Sequence, residues 1–150
     1  MTAETDLIKL YSGRILELAA DMPRTARLEA PSATARKRSP LCGSTVTVDV
    51  TVEDGIITDY GQDVKACALG QASAAVVGAN IVGCTRDQVE TARNQLSDML
   101  KSGGPAPDAP FTELEVLSPA KDYKNRHASI MLALDATLNA MDEAAKADCA

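Results

Sequence analysis

Three residues in this sequence carry side chains suited to binding a metal or sulfur: Cys42, Cys67 and the single histidine, His127. Each falls where a predicted element begins or ends. Cys42 lies in Pro40-Leu41-Cys42-Gly43-Ser44, at the mouth of a strand. Cys67 lies in Ala66-Cys67-Ala68-Leu69-Gly70, where a strand gives way to a helix, and His127 opens the last helix in Asn125-Arg126-His127-Ala128-Ser129-Ile130. Thiolate and imidazole are soft or borderline donors that suit zinc, copper(I) or iron. Gly43 permits close backbone approach beside Cys42. Free N–H groups and the dipole of the helix following Cys67 favour a thiolate there. His127 shares a helical face with Met131, Leu134, Leu138 and Met141, at spacings of four, three, four and three, which turns its ring inward. The spacing is not that of a zinc finger with paired short knuckles. Each residue also has a bland alternative: a small buried hydrophobe for the cysteines, a satisfied core histidine for His127. Element edges of this kind can converge on one end of a small α+β domain, so the three predict one three-donor metal or sulfur site. Cys84 reads as a packed or partly exposed thiol and Cys149 as a surface thiol.

The elements that must position these residues follow from periodicity. Leu7, Ile8, Tyr11, Ile15, Leu18 and Met22 recur at near-helical spacing and predict an amphipathic helix ending before Pro23. Arg24, Arg27, Arg36, Lys37 and Arg38 then supply five of the 15 basic residues, with Glu29 the one acid among them. Ser32 to Arg38 reads as an edge strand, where charge is tolerated. In Thr45 to Val52 the valines alternate with Thr45, Thr47, Asp49 and Thr51, predicting a strand with one buried and one wet face. Asp54-Gly55 signals a type I′ hairpin, Ile56 to Lys65 the return strand, and Gly61 a bulge. Ala72, Ala75, Val76 and Ala79 make a small-residue helix that Gly83 ends. Thr85 to Gln88 is a capping box for a helix burying Val89, Ala92, Leu96 and Met99. A Gly/Pro loop from Ser102 to Pro110, a short helix from Phe111 to Leu117 and a last helix from about Tyr123, fraying after Lys146, complete the chain.

Composition limits the function. At 150 residues the chain reads as one domain, 1–150, with a core drawn from Ala, Val, Ile, Leu and Met, because aromatics are only 3%. A net charge of −6 argues against general nucleic-acid binding. No apolar run is long enough for a membrane span, and the acidic N-terminus is no signal peptide. Reduced thiols and a cytoplasmic location follow.

These motifs resemble the NifU/IscU/SufU family of iron–sulfur cluster assembly scaffolds. Met22-Pro23-Arg24-Thr25 is similar to the family's Asn-Pro-Arg-Asn, and Pro40-Leu41-Cys42-Gly43 matches its Pro-x-Cys-Gly turn. Cys67-Ala68-Leu69-Gly70-Gln71-Ala72-Ser73-Ala74 is close to Cys-x-Ile-Ser-x-Ala-Ser-Ala, and His127-Ala128-Ser129-Ile130 resembles the third-ligand segment. The long loop before Phe111 is more like the SufU branch. Two positions depart: Ser44 stands where the family has Asp, and a third cysteine is missing, with His127 or Ala128 in its place according to the alignment. The resemblance implies an α+β fold, a three-stranded antiparallel sheet with four to five helices packed on one face.

The resemblance also implies a non-enzymatic scaffold. It would bind iron, receive sulfur from a cysteine desulfurase, and pass a transient [2Fe–2S] cluster to cluster-accepting apo-proteins. Cys42, Cys67 and His127 would be the ligands, with Ser44 at or behind the fourth position. Apart from the resemblance, the basic residues Arg24, Arg36, Lys37 and Arg38 read as a solvated face or, through their closeness in sequence to Cys42, as a docking surface for an acidic partner. A monomer or weak homodimer is expected. Two alternatives stay open: a zinc-bound sulfur acceptor, and a binding module that kept the fold and lost cluster assembly.

Overall fold

Val46, Val48 and Val50 are fully buried along one side of strand β2 (Thr45–Glu53), each stabilising the fold by about 1.5–3 kcal/mol through burial. The computed structural model describes residues 13–40 and 43–149. Helix α1 (Gly13–Ala20) leads to β1 (Ala33–Arg38), β2 and β3 (Ile56–Lys65), then α2 (Ala68–Asn80), α3 (Arg86–Ser102), a 3-10 helix (Thr112–Asp122) and α4 (Lys124–Cys149). The sheet is antiparallel in the order β1-β2-β3. Helix α4 lies across β1 and β2, and α2 packs between α4 and α1.

The predicted hairpin forms: Glu53 pairs with Ile56 around Asp54 and Gly55, both with positive φ, as a type I′ turn requires. The bulge is not at Gly61. Gly61 pairs regularly with Asp49, and the register shifts between Thr51 and Val52, leaving Thr58 as the extra residue. Gly61 is needed for a different reason: the Ala26 carbonyl lies where a Cβ would stand. The segment preceding β1 therefore presses on the outer face of the sheet. That contact also overturns the wet-face reading of Asp49, which is 0% exposed. The Asp49 carboxylate accepts from Arg27 Nε at 2.6 Å, Arg27 Nη2 at 3.0 Å, the Leu28 N–H at 3.0 Å and the Thr34 hydroxyl at 2.6 Å. Burial alone would raise its pKa, but these hydrogen bonds and the guanidinium charge outweigh it and hold the carboxyl below its ordinary value.

Helix α2 is buried almost all round, from Ala72 to Gly78, with Ala79 facing out; an apolar helix of this kind is a core helix. It ends at Asn80, and Gly83 (φ +96°) turns the chain afterwards. The Thr85–Gln88 capping box forms as expected, and α3 buries Val89, Ala92, Leu96 and Met99. The 3-10 helix replaces the shorter helix expected at Phe111–Leu117. The last helix continues through the tail expected to fray. The segment of the first helix before Gly13 lies outside the described residues.

Candidate functional site

The junction between β3 and α2 sets the position of Cys67. Cys67 is the N-cap of α2, with extended backbone (φ −67°, ψ 170°) and no side-chain capping bond. Its thiol is therefore not spent on the helix end; it is half-buried, with Sγ 3.5 Å from Ser129 Oγ. Ser129 is 1% exposed, and its hydroxyl donates to Ser44 Oγ at 3.1 Å. Ser44 is itself 4% exposed, in a turn closed by the Ser39 N–H to the Ser44 carbonyl (2.8 Å) and the Gly43 N–H to the Ser39 carbonyl (3.0 Å). Gly43 has a φ of +70°, a conformation that glycine adopts without strain. Three elements thus meet in a thiol–hydroxyl–hydroxyl line: the entry to β2, the start of α2 and the second turn of α4.

Small residues let α2 and α4 approach closely enough for this line to form. A Cβ on Gly70 would stand 2.5 Å from Ser129 Oγ. Ser73 donates to the Ile130 carbonyl at 2.7 Å and fixes the register of the two helices. Ser129, Gly70 and Ser73 had no assigned role in the sequence reading, although all three fall inside its motifs. Their signal was small-residue spacing, which does not reveal that Gly70 meets Ser129, 59 residues later.

His127 is on another side of α4. Helical residues two apart in sequence are separated by about 200° of rotation, so His127 does not share the Ser129 face. It is half-buried, and Nε2 lies 2.8 Å from the Ala120 carbonyl. A carbonyl can only accept, so Nε2 carries the proton in that bond and the lone pair of the neutral ring sits on Nδ1. Cys42 lies outside the described residues. Among the described residues no three His, Cys, Asp or Glu side chains are grouped to hold a metal ion. Cys84 is buried, its thiol donates to the Asn80 carbonyl at 3.5 Å, and burial pushes its pKa up; it is a core residue. The reading of Cys149 concerns a side chain outside the described ones.

The basic residues divide between faces. Strand alternation exposes Arg36 and Arg38 and leaves Lys37 half-buried on the side of the helices. Arg36 borders a polar recess of about 230 Å³ with Arg27, Asp63 and Lys65. Arg24 (φ +55°) pairs with Asp59 at 3.5 Å.

The fold and this line of groups define a class: a small α+β domain that displays a cysteine at a strand–helix junction beside a tight glycine turn. Comparison with known proteins narrows it. The crystal structure of a nitrogen-fixing NifU-like protein (N-terminal) from Brucella abortus is 43% identical, with a TM-score of 0.91, over 94% of this chain and 98% of that one. An iron-sulfur cluster assembly scaffold protein for the SUF system from Fervidobacterium islandicum shares the fold, with a TM-score of 0.80 at 19% identity over 89% of this chain and 98% of that one. The iron-sulfur cluster assembly scaffold protein IscU of Thermotoga maritima is 23% identical over 124 residues, 83% of this chain and 87% of its own length. No family model matches the chain. The chain belongs to the NifU/IscU/SufU-like scaffold family.

Proposed function

We propose that this protein is an iron–sulfur cluster assembly scaffold that receives sulfur from a cysteine desulfurase, builds a [2Fe–2S] cluster and passes it to apo-proteins in the cytoplasm. The observation that carries the reading is Cys67: a half-buried thiol at a helix start, uncommitted to capping and beside the Ser129 hydroxyl, which in turn donates to Ser44. A scaffold must hold its cargo within reach of donor and acceptor, which a half-buried ligand allows and full enclosure would not. Cys42, two residues before Ser44, is the second thiolate ligand in this proposal. His127 is the third donor in this proposal, and because it stands on another side of α4 from Ser129, its ring must leave the Ala120 carbonyl to reach an ion held by Cys67. Ser129 and Ser44 orient the Cys67 sulfur from behind. Arg36 and Arg38 give the exposed edge strand β1 a positive face for docking the desulfurase; Lys37 lies on the opposite face of β1 and Arg24 beside Asp59 of β3, so these two would extend the docking surface only outside that face.

Anaerobic reconstitution with ferrous iron and sulfide tests the proposal. The protein should develop visible charge-transfer absorption, and Cys42→Ala and Cys67→Ala should lose it with far-ultraviolet circular dichroism unchanged. His127→Ala should weaken it; full retention would mean that the third donor is another group. Failure of the unmodified protein to take up a cluster would overturn the scaffold reading. Zinc found in protein purified without added metal would then favour the sulfur-acceptor alternative.

A further inference from the structure

We propose that the groove between α3, the 3-10 helix and α4 docks an acidic peptide segment of a partner protein. The groove is about 610 Å³, within the size range of ligand sites. Its charge is opposite to that of the molecule. The chain carries −6 overall, yet Lys101, Lys121 and Lys124 converge here with Arg93. The groove's one acid, Asp135, is neutralised by Arg93 Nε at 2.9 Å. No carboxylate among the described residues pairs with any of the three lysines.

Helix electrostatics account for part of this cluster. Lys101 lies in the last turn of α3, and Lys121 Nζ lies over the same helix end, 3.0 Å from where a Cβ of Gly103 would stand; cations are favoured there. Lys124 is different. It opens α4 with Arg126 and His127, and the first turn contains no acid. Cations at a helix N-terminus oppose the macrodipole, so folding alone does not favour this arrangement. A carboxylate-bearing partner would relieve it and satisfy the groove lysines at once. Outside the groove and the β1 face the sequence carries more acids than bases, so an acidic partner is favoured at few places on the molecule. His127 and Ala128 form part of the wall, one residue from Ser129. An occupant would therefore lie beside the proposed cluster site, although the docking itself needs no metal.

The test uses metal-free full-length protein and a fluorescein-labelled peptide of alternating glutamate and leucine, read by fluorescence anisotropy. Saturable binding should weaken about tenfold in Lys121→Glu/Lys124→Glu. It should change less than twofold in Lys65→Glu/Lys146→Glu, which alters net charge equally at other places. Binding should also fall as chloride rises from about 20 to 200 mM, because exposed ion pairs are screened. Equal loss in both double variants, or no saturable binding, would overturn the proposal. So would displacement by inorganic phosphate beyond that by chloride at matched ionic strength, since that identifies a small-anion site. Because no cluster is involved, failed reconstitution and failed peptide binding are separate results.

Discussion

Asp49→Asn isolates the contact that clamps the segment before β1 onto the sheet. Asp49 accepts four hydrogen bonds, from Arg27 (two), Leu28 and Thr34, and is 0% exposed, whereas the Arg27 side chain is 51% exposed. Asparagine keeps the shape but replaces one acceptor oxygen with a donor that faces other donors. About half the bonds are lost, each worth roughly 1.5–3 kcal/mol when charge-assisted. Arg27 can turn into water, which reduces its share. The expected loss is about 2–4 kcal/mol at pH 7, or on the order of 10 °C in Tm for a chain of this size. The pH dependence follows from the lowered pKa of Asp49. Its stabilisation is present above the unfolded-state value of about 4 and is lost as pH falls through the lower folded value. The two proteins should therefore differ by a constant amount from about pH 7 to 5 and converge below about pH 4. Urea unfolding at several pH values, followed by circular dichroism, measures both effects. A loss under about 0.5 kcal/mol, the range of an ordinary surface substitution, or a gap unchanged at low pH, would refute the clamp.

Three further outcomes are expected. Ser44→Asp should strengthen zinc binding, because a carboxylate is a better ligand than a neutral hydroxyl and would lie in the Ser129–Cys67 line; equal affinities in a chromophoric-chelator competition would remove residue 44 from the site. Gly70→Ala should destabilise the fold by about 1–3 kcal/mol through overpacking against Ser129 and should also lower cluster loading; thermal unfolding with unchanged Tm would show that α2 and α4 can separate at no cost. Cys84→Ala should cost about 1 kcal/mol of core packing, as buried truncations do, and leave metal binding intact, read by urea unfolding beside iron reconstitution; loss of loading in the folded variant would make Cys84 part of the site.

Much of this protein was legible in one dimension because the relevant signals are local. The alternating valines of β2, the Asp54-Gly55 turn and the Thr85–Gln88 box depend on neighbours within a few residues, and all form as read. The motifs around Cys67 and His127 likewise placed both at helix starts. What the sequence could not express was which distant surfaces press together. Asp49 has the periodicity of a solvent-facing residue, and only the folding of Arg27 and Leu28 over the sheet makes it a buried, hydrogen-bonded carboxylate. Gly61 looked like a bulge because local reading cannot distinguish a kink from a close approach; the approach comes from Ala26, 35 residues earlier. Helical periodicity turned His127 inward, but the Ala120 carbonyl decided where its Nε2–H is bound. Ser44 reaches Cys67 only through Ser129, and Cys67 and Ser129 come from opposite halves of the chain. They are neighbours because α2 and α4 carry small residues where the two helices cross, and crossing geometry is a property of packed helices that neither segment specifies alone.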